Sequence, residues 1–467
     1  MCVERQSDRI ERAIRTLSAW LAGTLLFTSP LLTQAMPEIQ TWNTENGTRV
    51  LFVAAPEIPM VDVHLVFAAG SARDGGRSGL AALTAAMLSE GAGDWGADAI
   101  ADRLDGVGAV LSTDVDRDMA TVALRTLTRQ PAFDTAIDTF ATLIARPTFA
   151  PEALERVRQN RLVALRQEDE SPRRVAQKAL YRAVFGTHPY AADPSGTPES
   201  VADLRREELI AFHARHYVGS NAVLAIVGAL DRAGAETLAN RLVGGLPRGE
   251  PAAPLPEVPP LAEATLTAID FPSSQTTVLA GQPGMRRGDP DYFALYVGNH
   301  ILGGSGLISI LMDEIREKRG LSYSTYSAFL PLAQPGPFLM SLQTRNDQAE
   351  QARSVMIDTL KRFIERGPTE AELMAAKKNI TGGFPLKIAS NSNIVQYLAV
   401  IGFYGLPLDY LERFRERIES VTVEQIRDAF ARRLHPERLA IVMVGAPATG
   451  ALGDAGAAQV SLARGTP

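Results

Sequence analysis

Cysteine is almost missing from this 467-residue chain: Cys2 is the only one. Its scarcity excludes a disulfide framework, so stability must come from packed cores alone. A basic excess is missing as well. Lys and Arg number 47 against 53 Asp and Glu, a formal net charge of −6, which argues against nucleic acid as a main partner. Histidine is scarce at six. Long apolar runs are few, and the one from Leu17 to about Leu32 is broken by Pro30 and short for a spanning helix.

What is present is ordinary globular material. Apolar residues make up 46% and charged residues 21%, which excludes a disordered chain. The length allows two or more domains, each with its own core. Arg5, Arg9, Arg12 and Arg15 precede the apolar run, which ends in Thr33-Gln34-Ala35. That order reads as a signal peptide over residues 1–35, cleaved after Ala35 in preference to a retained anchor. Cleavage removes Cys2, four arginines and three acids, leaving a net charge of −7. A cysteine-free mature chain suits the periplasm of a bacterial envelope.

The mature chain reads as two similar halves, 36–245 and 263–450, with a tail over 451–467. Between them, Gly245 to Pro260 holds six prolines in sixteen residues, so a linker is expected over 246–262, with neither helix nor sheet running through it. The ends of the halves match. Ser200-Val201-Ala202-Asp203-Leu204 starts a helix through Phe212, followed by the apolar run Asn221 to Gly228. Ser420-Val421-Thr422-Val423-Glu424 starts a helix through Phe430, followed by Arg438 to Gly445. Both halves open with β-rich segments, Arg49–Ala54 and Met60–Phe67 in one, Ala264–Asp270 and Gln275–Ala280 in the other. Helices are expected over Pro151–Gln167 and Thr369–Asn379. Duplication is the simplest account, and the class is α+β, two homologous sheet-and-helix domains.

Gly79-Leu80-Ala81-Ala82-Leu83-Thr84-Ala85-Ala86-Met87-Leu88 is a helix after a strand and a Gly/Ser turn. It resembles the G-L-A-H-x-x-E-H-M-L stretch of the pitrilysin/insulinase zinc peptidases, where two His hold zinc and Glu is the base. The three chemical positions here are Ala82, Ala85 and Ala86. A methyl group offers zinc no lone pair and accepts no proton. Three further segments carry the same likeness: Asn46-Gly47-Thr48-Arg49-Val50, then Gly186-Thr187-His188-Pro189-Tyr190 with Gly196-Thr197, then Tyr404-Gly405-Leu406-Pro407-Leu408-Asp409-Tyr410. In this order they resemble the short two-subunit branch typified by mitochondrial processing peptidase, from about Gln40 to Gly445.

That family places a third zinc ligand, a Glu, roughly seventy residues later. The matching stretch, Glu155 to Leu162, is basic and amide-rich, and Glu155 and Glu168 read as solvated helix carboxylates. His213 and His216 share one face of a helix, but no further ligand is indicated. His64 sits in a strand, His188 in a turn and His300 before a Gly-rich loop. Asp114-Val115-Asp116-Arg117-Asp118 lacks the Gly and terminal Glu of a calcium loop, so a strand with three carboxylates on one face is expected.

The second half keeps Ile301-Leu302-Gly303-Gly304-Ser305-Gly306, then Leu311 to Tyr323 with Ile315-Arg316-Glu317-Lys318-Arg319-Gly320-Leu321 inside it. This resembles the family's L-G-G…I-R-E-K-R-G-L-x-Y segment, although Ser309-Ile310-Leu311 replaces its S-R-L step. The resemblance makes Arg316 and Tyr323 the residues that act at the zinc site of a facing subunit, and Gly303 and Gly304 part of a substrate-contacting loop. The alternative is that Arg316 pairs on a charged helix surface and Tyr323 packs in a strand. No Walker lysine follows the glycines, which excludes a phosphate cradle.

These readings imply a non-catalytic subunit of a heterodimeric zinc endopeptidase. No metal is expected in this chain; zinc and base belong to a homologous partner with the intact motif. The two would close like a clamshell on a peptide, with no nucleic acid and no membrane anchor after signal cleavage. The other reading is a binding or structural protein of the same fold.

Overall fold

Strand pairing repeats itself between the two halves of the chain. In the first half run β1 (Gln40–Asn43), β2 (Arg49–Ala54), β3 (Met60–Phe67), a short ribbon of β4 (Gly91–Ala92) and β5 (Trp95–Gly96), β6 (Val110–Val115), β7 (Ala120–Leu127) and β8 (Ala222–Gly228). In the second run β9 (Thr265–Asp270), β10 (Gln275–Pro283), β11 (Thr325–Phe329), β12 (Pro337–Arg345) and β13 (Ala440–Gly445). The first sheet has the order β1-β2-β8-β3-β7-β6 and the second β9-β13-β10-β12-β11. Leaving out β1, both read opening strand, closing strand, second, fourth, third. The opening and closing strands are parallel in each sheet, and the other pairs are antiparallel. The duplication expected from sequence is therefore present in the hydrogen-bond ladders.

The register carries the same match. Gly228 pairs with Ala54 and Gly445 with Asp270, each at the end of its closing strand. A Cβ on Gly228 would fall 2.5 Å from the carbonyl oxygen of Met60, and one on Gly445 2.5 Å from Oγ1 of Thr276. The neighbouring strand begins so close that only a hydrogen fits. The β1–β2 connection is the expected hairpin, with Gly47 at φ +93° and Asn46 Nδ2 donating to Val243 O at 2.7 Å.

Two helices cross between the halves. Pro172–Phe185, from the first half, packs on β10 and β13 of the second sheet. Its Ala176, Leu180 and Val184 join Leu279, Leu339, Val442 and Val444 in one core. Asn391–Phe403, from the second half, packs on β8, β3 and β2 of the first sheet. Gly402 makes that approach feasible: a Cβ there would meet Val223 Cγ1 at 2.5 Å and Leu51 Cδ1 at 2.7 Å. Each half thus supplies a wall of the other's core, and residues 38–446 lie in one compact unit.

The computed structural model describes residues 38–446; the expected signal peptide and the tail from 451 lie outside the described residues. No helix or strand occurs between Val243 and Thr265, as the prolines require. This linker is strapped down: Gly219 N donates to Pro247 O at 2.8 Å, Ala252 N to Asn221 Oδ1 at 3.0 Å, and His188 Nε2 meets Pro256 O at 3.0 Å. One expectation needs correction. The helix from Ser200 to Phe212 is two, Pro198–Asp203 and Arg206–His216, because Leu204 is extended and Glu208 caps the Arg205 amide at 2.7 Å. Among the described residues no helix is long and apolar enough to cross a membrane.

Candidate functional site

The first-half helix that resembles the zinc motif spans Leu80–Met87 and starts from Gly79 at φ +92°. Asp74 holds its N-terminus. Its two carboxylate oxygens accept from Gly79 N and Ala81 N, both at 2.8 Å. Burial pushes the Asp74 carboxyl up to about 7, against the lowering effect of these amides. Ala82 and Ala86 are half-buried on one face of the helix, and Ala85 is 3% exposed. All three present methyl groups to the place where a metal and a base would be needed.

The Pro151–Asp169 helix packs against this one. It brings cations where the family brings a carboxylate. Arg156 pairs with Glu90 just past the end of Leu80–Met87, and Arg158 donates to Leu204 O at 2.8 Å and Ala202 O at 3.1 Å. Glu155 is exposed and tied to Gln159 at 2.6 Å and Arg158 at 3.1 Å. Glu168 departs from the solvated reading: it is half-buried between Arg174 at 2.9 Å and Lys178 at 3.3 Å. Among the described residues no group of three His, Cys, Asp or Glu side chains is placed to hold a metal. Three methyls do not fit zinc.

The histidines are occupied elsewhere. His213 Nε2 bonds Ile144 O at 2.9 Å and its ring stacks on Tyr217 at 4.7 Å, with burial pushing its pKa down to about 4. His216 is buried against Phe212, its pKa also pushed down to about 4, by burial and then by Arg215 and Arg73. Neither ring faces the other's partners, so the shared face holds no site. Burial lowers His64 in β3 as well.

The expected acidic strand is corrected. Only Asp114 lies in β6; Asp116, Arg117 and Asp118 form its turn into β7. Asp116 accepts from the Asp118 and Met119 amides at 2.7 and 2.8 Å, a local turn that competes with strand pairing. Asp118 is buried and accepts from Tyr190 Oη at 2.5 Å, Tyr404 Oη at 2.9 Å and Ala333 N at 2.7 Å. Sequence reasoning missed this carboxylate and Asp74. A signal did exist for Asp118, since both tyrosines lie in the segments that carry the family likeness.

In the second half, Asp313–Glu317 forms one π-helical turn that packs on Ala349–Arg366. Such turns widen a helix and re-aim its side chains. The Arg316 guanidinium lies 5.0 Å from the centre of the Tyr323 ring. Tyr323 is 84% exposed and stands in the connection before β11, so it does not pack in a strand. Lys318, Arg319 and Arg362 all converge on Glu314, whereas Arg316 has only a loose 3.5 Å contact with Glu317. Gly303 is buried, and a Cβ there would fall 2.5 Å from the Ser327 amide, so its place is explained by packing on β11. Gly304 is exposed.

Comparison with known proteins follows the same division. Residues 49–197 match the insulinase (peptidase family M16) profile, and residues 203–380 match the peptidase M16 inactive domain. An uncharacterized zinc protease of Mycobacterium tuberculosis is 29% identical over 404 residues, covering 85% of this chain and 91% of the relative. A non-peptidase homolog of Helicobacter pylori is 28% identical over 375 residues, 79% of this chain and 85% of that one. The crystal structure of a peptidase M16 inactive domain from Pseudomonas fluorescens aligns with a TM-score of 0.85 at 40% identity, covering 88% of this chain and 98% of that one. The name "non-peptidase homolog" agrees with a first-half helix that has no ligand, whereas the inactive-domain match falls on residues 203–380.

Proposed function

Because the chain belongs to the insulinase (M16) peptidase family and its described residues include no group able to hold catalytic zinc, we propose that it is the non-catalytic subunit of a two-chain endopeptidase. The observation that carries this reading is the Arg316–Tyr323 pair, 5.0 Å apart, with the tyrosine 84% exposed. An exposed phenol beside a loosely paired guanidinium contributes little to this chain's own core. It suits a surface that meets a second molecule. Peptide hydrolysis builds negative charge on the carbonyl oxygen, and a phenol can donate a hydrogen bond to it there. The guanidinium can fix a neighbouring peptide carbonyl.

In this reading a homologous partner supplies zinc and the general base, and this chain supplies Arg316, Tyr323 and the exposed Gly304 to the peptide. The N-terminal signal pattern supports export to the periplasm. The test is co-purification from the envelope fraction followed by kinetics of the complex. A chain with the intact H-x-x-E-H motif and about one zinc should co-purify. Tyr323→Phe should leave the complex assembled and lower kcat by about 10²–10³-fold, the usual loss for one oxyanion donor. Arg345→Ala, which removes an exposed cation paired with Asp347, should change little. Wild-type turnover by Tyr323→Phe would reject the shared site and leave the scaffold reading.

A further inference from the structure

The duplication places a second pair of helices where the first half has its degenerate zinc site. Leu80–Met87 follows β3, and its counterpart after β10 is Tyr292–Asn299 with the π-helical turn His300–Gly304. Pro151–Asp169 follows Ala132–Ala145, and its counterpart after Ala349–Arg366 is Glu370–Lys387. The two counterparts pack together as the originals do. What they enclose is different.

A cavity of about 470 Å³ lies on one side of Tyr296 and Lys387, and one of about 250 Å³ lies on the other. The smaller reaches His300 and Gly304, at the glycine-rich loop. The larger is walled by Tyr292, Tyr296, Tyr397 and Tyr410 and carries two cations, Arg287 and Lys387. Among the described residues no carboxylate lines either cavity. Among the described residues neither cation is in an ion pair; the Arg287 guanidinium lies 5.6 Å from the centre of the Tyr404 ring, and its Nε is buried with no hydrogen-bond partner. Lys387 is held at the junction by Tyr296 Oη at 3.2 Å.

We propose that this double cavity is a peptide-carboxylate site, anchored by Lys387 and Arg287 and walled by the tyrosines. Two uncompensated cations in a partly desolvated pocket attract an anion, and an arginine fork suits a carboxylate. A bare inorganic anion would need neither the volume nor the aromatic walls, whereas a short peptide uses both. The carboxylate can belong to a peptide C-terminus or to an Asp or Glu side chain. This site is separate from Arg316 and Tyr323 and does not depend on the shared-site reading.

Calorimetry on the unaltered full chain tests it, using N-acetyl-Ala-Ala-Phe with a free C-terminus against its amide. A second pair, N-acetyl-Ala-Asp-Phe-amide against its Asn twin, tests a side-chain carboxylate. One of the charged peptides should bind at least about 10-fold tighter than its neutral twin, the scale of a charge-assisted hydrogen bond. The pair that shows the preference identifies the source. Lys387→Met should abolish the preference and Lys387→Arg should keep it, with thermal melting confirming that both fold. Equal binding within both pairs overturns the site without recourse to any variant. So does inorganic phosphate binding as tightly as the preferred peptide, or a preference that survives Lys387→Met.

Discussion

Tyr404 donates a 2.9 Å hydrogen bond to Oδ2 of Asp118, although 286 residues separate them. The second carboxylate oxygen takes the Tyr190 hydroxyl at 2.5 Å, and Ala333 N adds a third donor at 2.7 Å. One buried turn of the first half is thereby fastened to two loops of the second. Burial first, and the adjacent carboxylate after it, hold both phenols well above the ordinary tyrosine range, so their protons stay in these bonds. Removing Asp118 leaves two hydroxyl donors and an amide without their acceptor.

Tyr404→Phe should therefore cost about 1–2 kcal/mol, and Asp118→Ala about 3 kcal/mol or more, since it orphans two hydroxyls and an amide. With Asp118 already alanine, Tyr404→Phe should cost almost nothing. Urea midpoints of the two single variants and the double variant measure this. Strict additivity would show that the two residues do not act together.

The crossing helix makes its own demand. Gly402→Val should destabilise by about 1–3 kcal/mol through overpacking against Val223 and Leu51. Gly382 is the contrasting case, an exposed helix glycine whose Cβ would meet nothing within 4 Å. Gly382→Ala should raise stability by up to about 1 kcal/mol. Thermal melts of the pair separate packing from helix propensity, and a neutral Gly402→Val would refute the close approach.

His213 governs part of the acid limb. Its folded pKa, about 4, lies below the 6.5 of the unfolded chain. Above pH 6.5 both states are neutral and the histidine costs nothing. As pH falls from 6.5 toward 4 the unfolded state takes up a proton that the folded state refuses, and stability drops by up to about 1.4 kcal/mol per pH unit. His213→Gln should flatten the acid limb by that amount relative to wild type. In NMR titrations the His213 ring should show no shift between pH 8 and 5; a midpoint near 6.5 would contradict its burial.

Restoring the motif should not restore the metal site. Ala82→His, Ala85→Glu and Ala86→His together would place a carboxylate at a position only 3% exposed, facing a helix that offers Arg156 and Arg158 in place of a third ligand. Elemental analysis of the triple variant should find well under one zinc per chain, and no peptide should be hydrolysed. About one tightly held zinc would mean that a third ligand is in reach.

Much of this architecture was legible because it depends on residues close in sequence. The prolines of the linker forbid regular structure wherever the chain goes, and no helix or strand forms there. Apolar runs such as Ala222–Gly228 and Ala440–Gly445 read as covered strands and are interior to their sheets. The Asp114–Asp118 alternation misled, because a carboxylate accepting from its own turn amides outweighs a two-residue period. Splitting of the Ser200–Phe212 segment was hidden for a similar reason: the capping of Arg205 by Glu208 is local, but an amphipathic pattern continues across it.

By itself the sequence determined the duplicated α+β class, the loss of every zinc-motif side chain and the retention of Arg316 and Tyr323 at family spacing. A methyl cannot ligate a metal in any fold, so that conclusion needed no coordinates. Tertiary structure alone decided that Pro172–Phe185 and Asn391–Phe403 trade places between sheets, and that Asp118 gathers Tyr190 and Tyr404. It also decided that Arg287 and Lys387, a hundred positions apart, line one tyrosine-walled cavity. These depend on which surfaces meet after burial, and no local period or spacing encodes the meeting of residues so far apart in the chain.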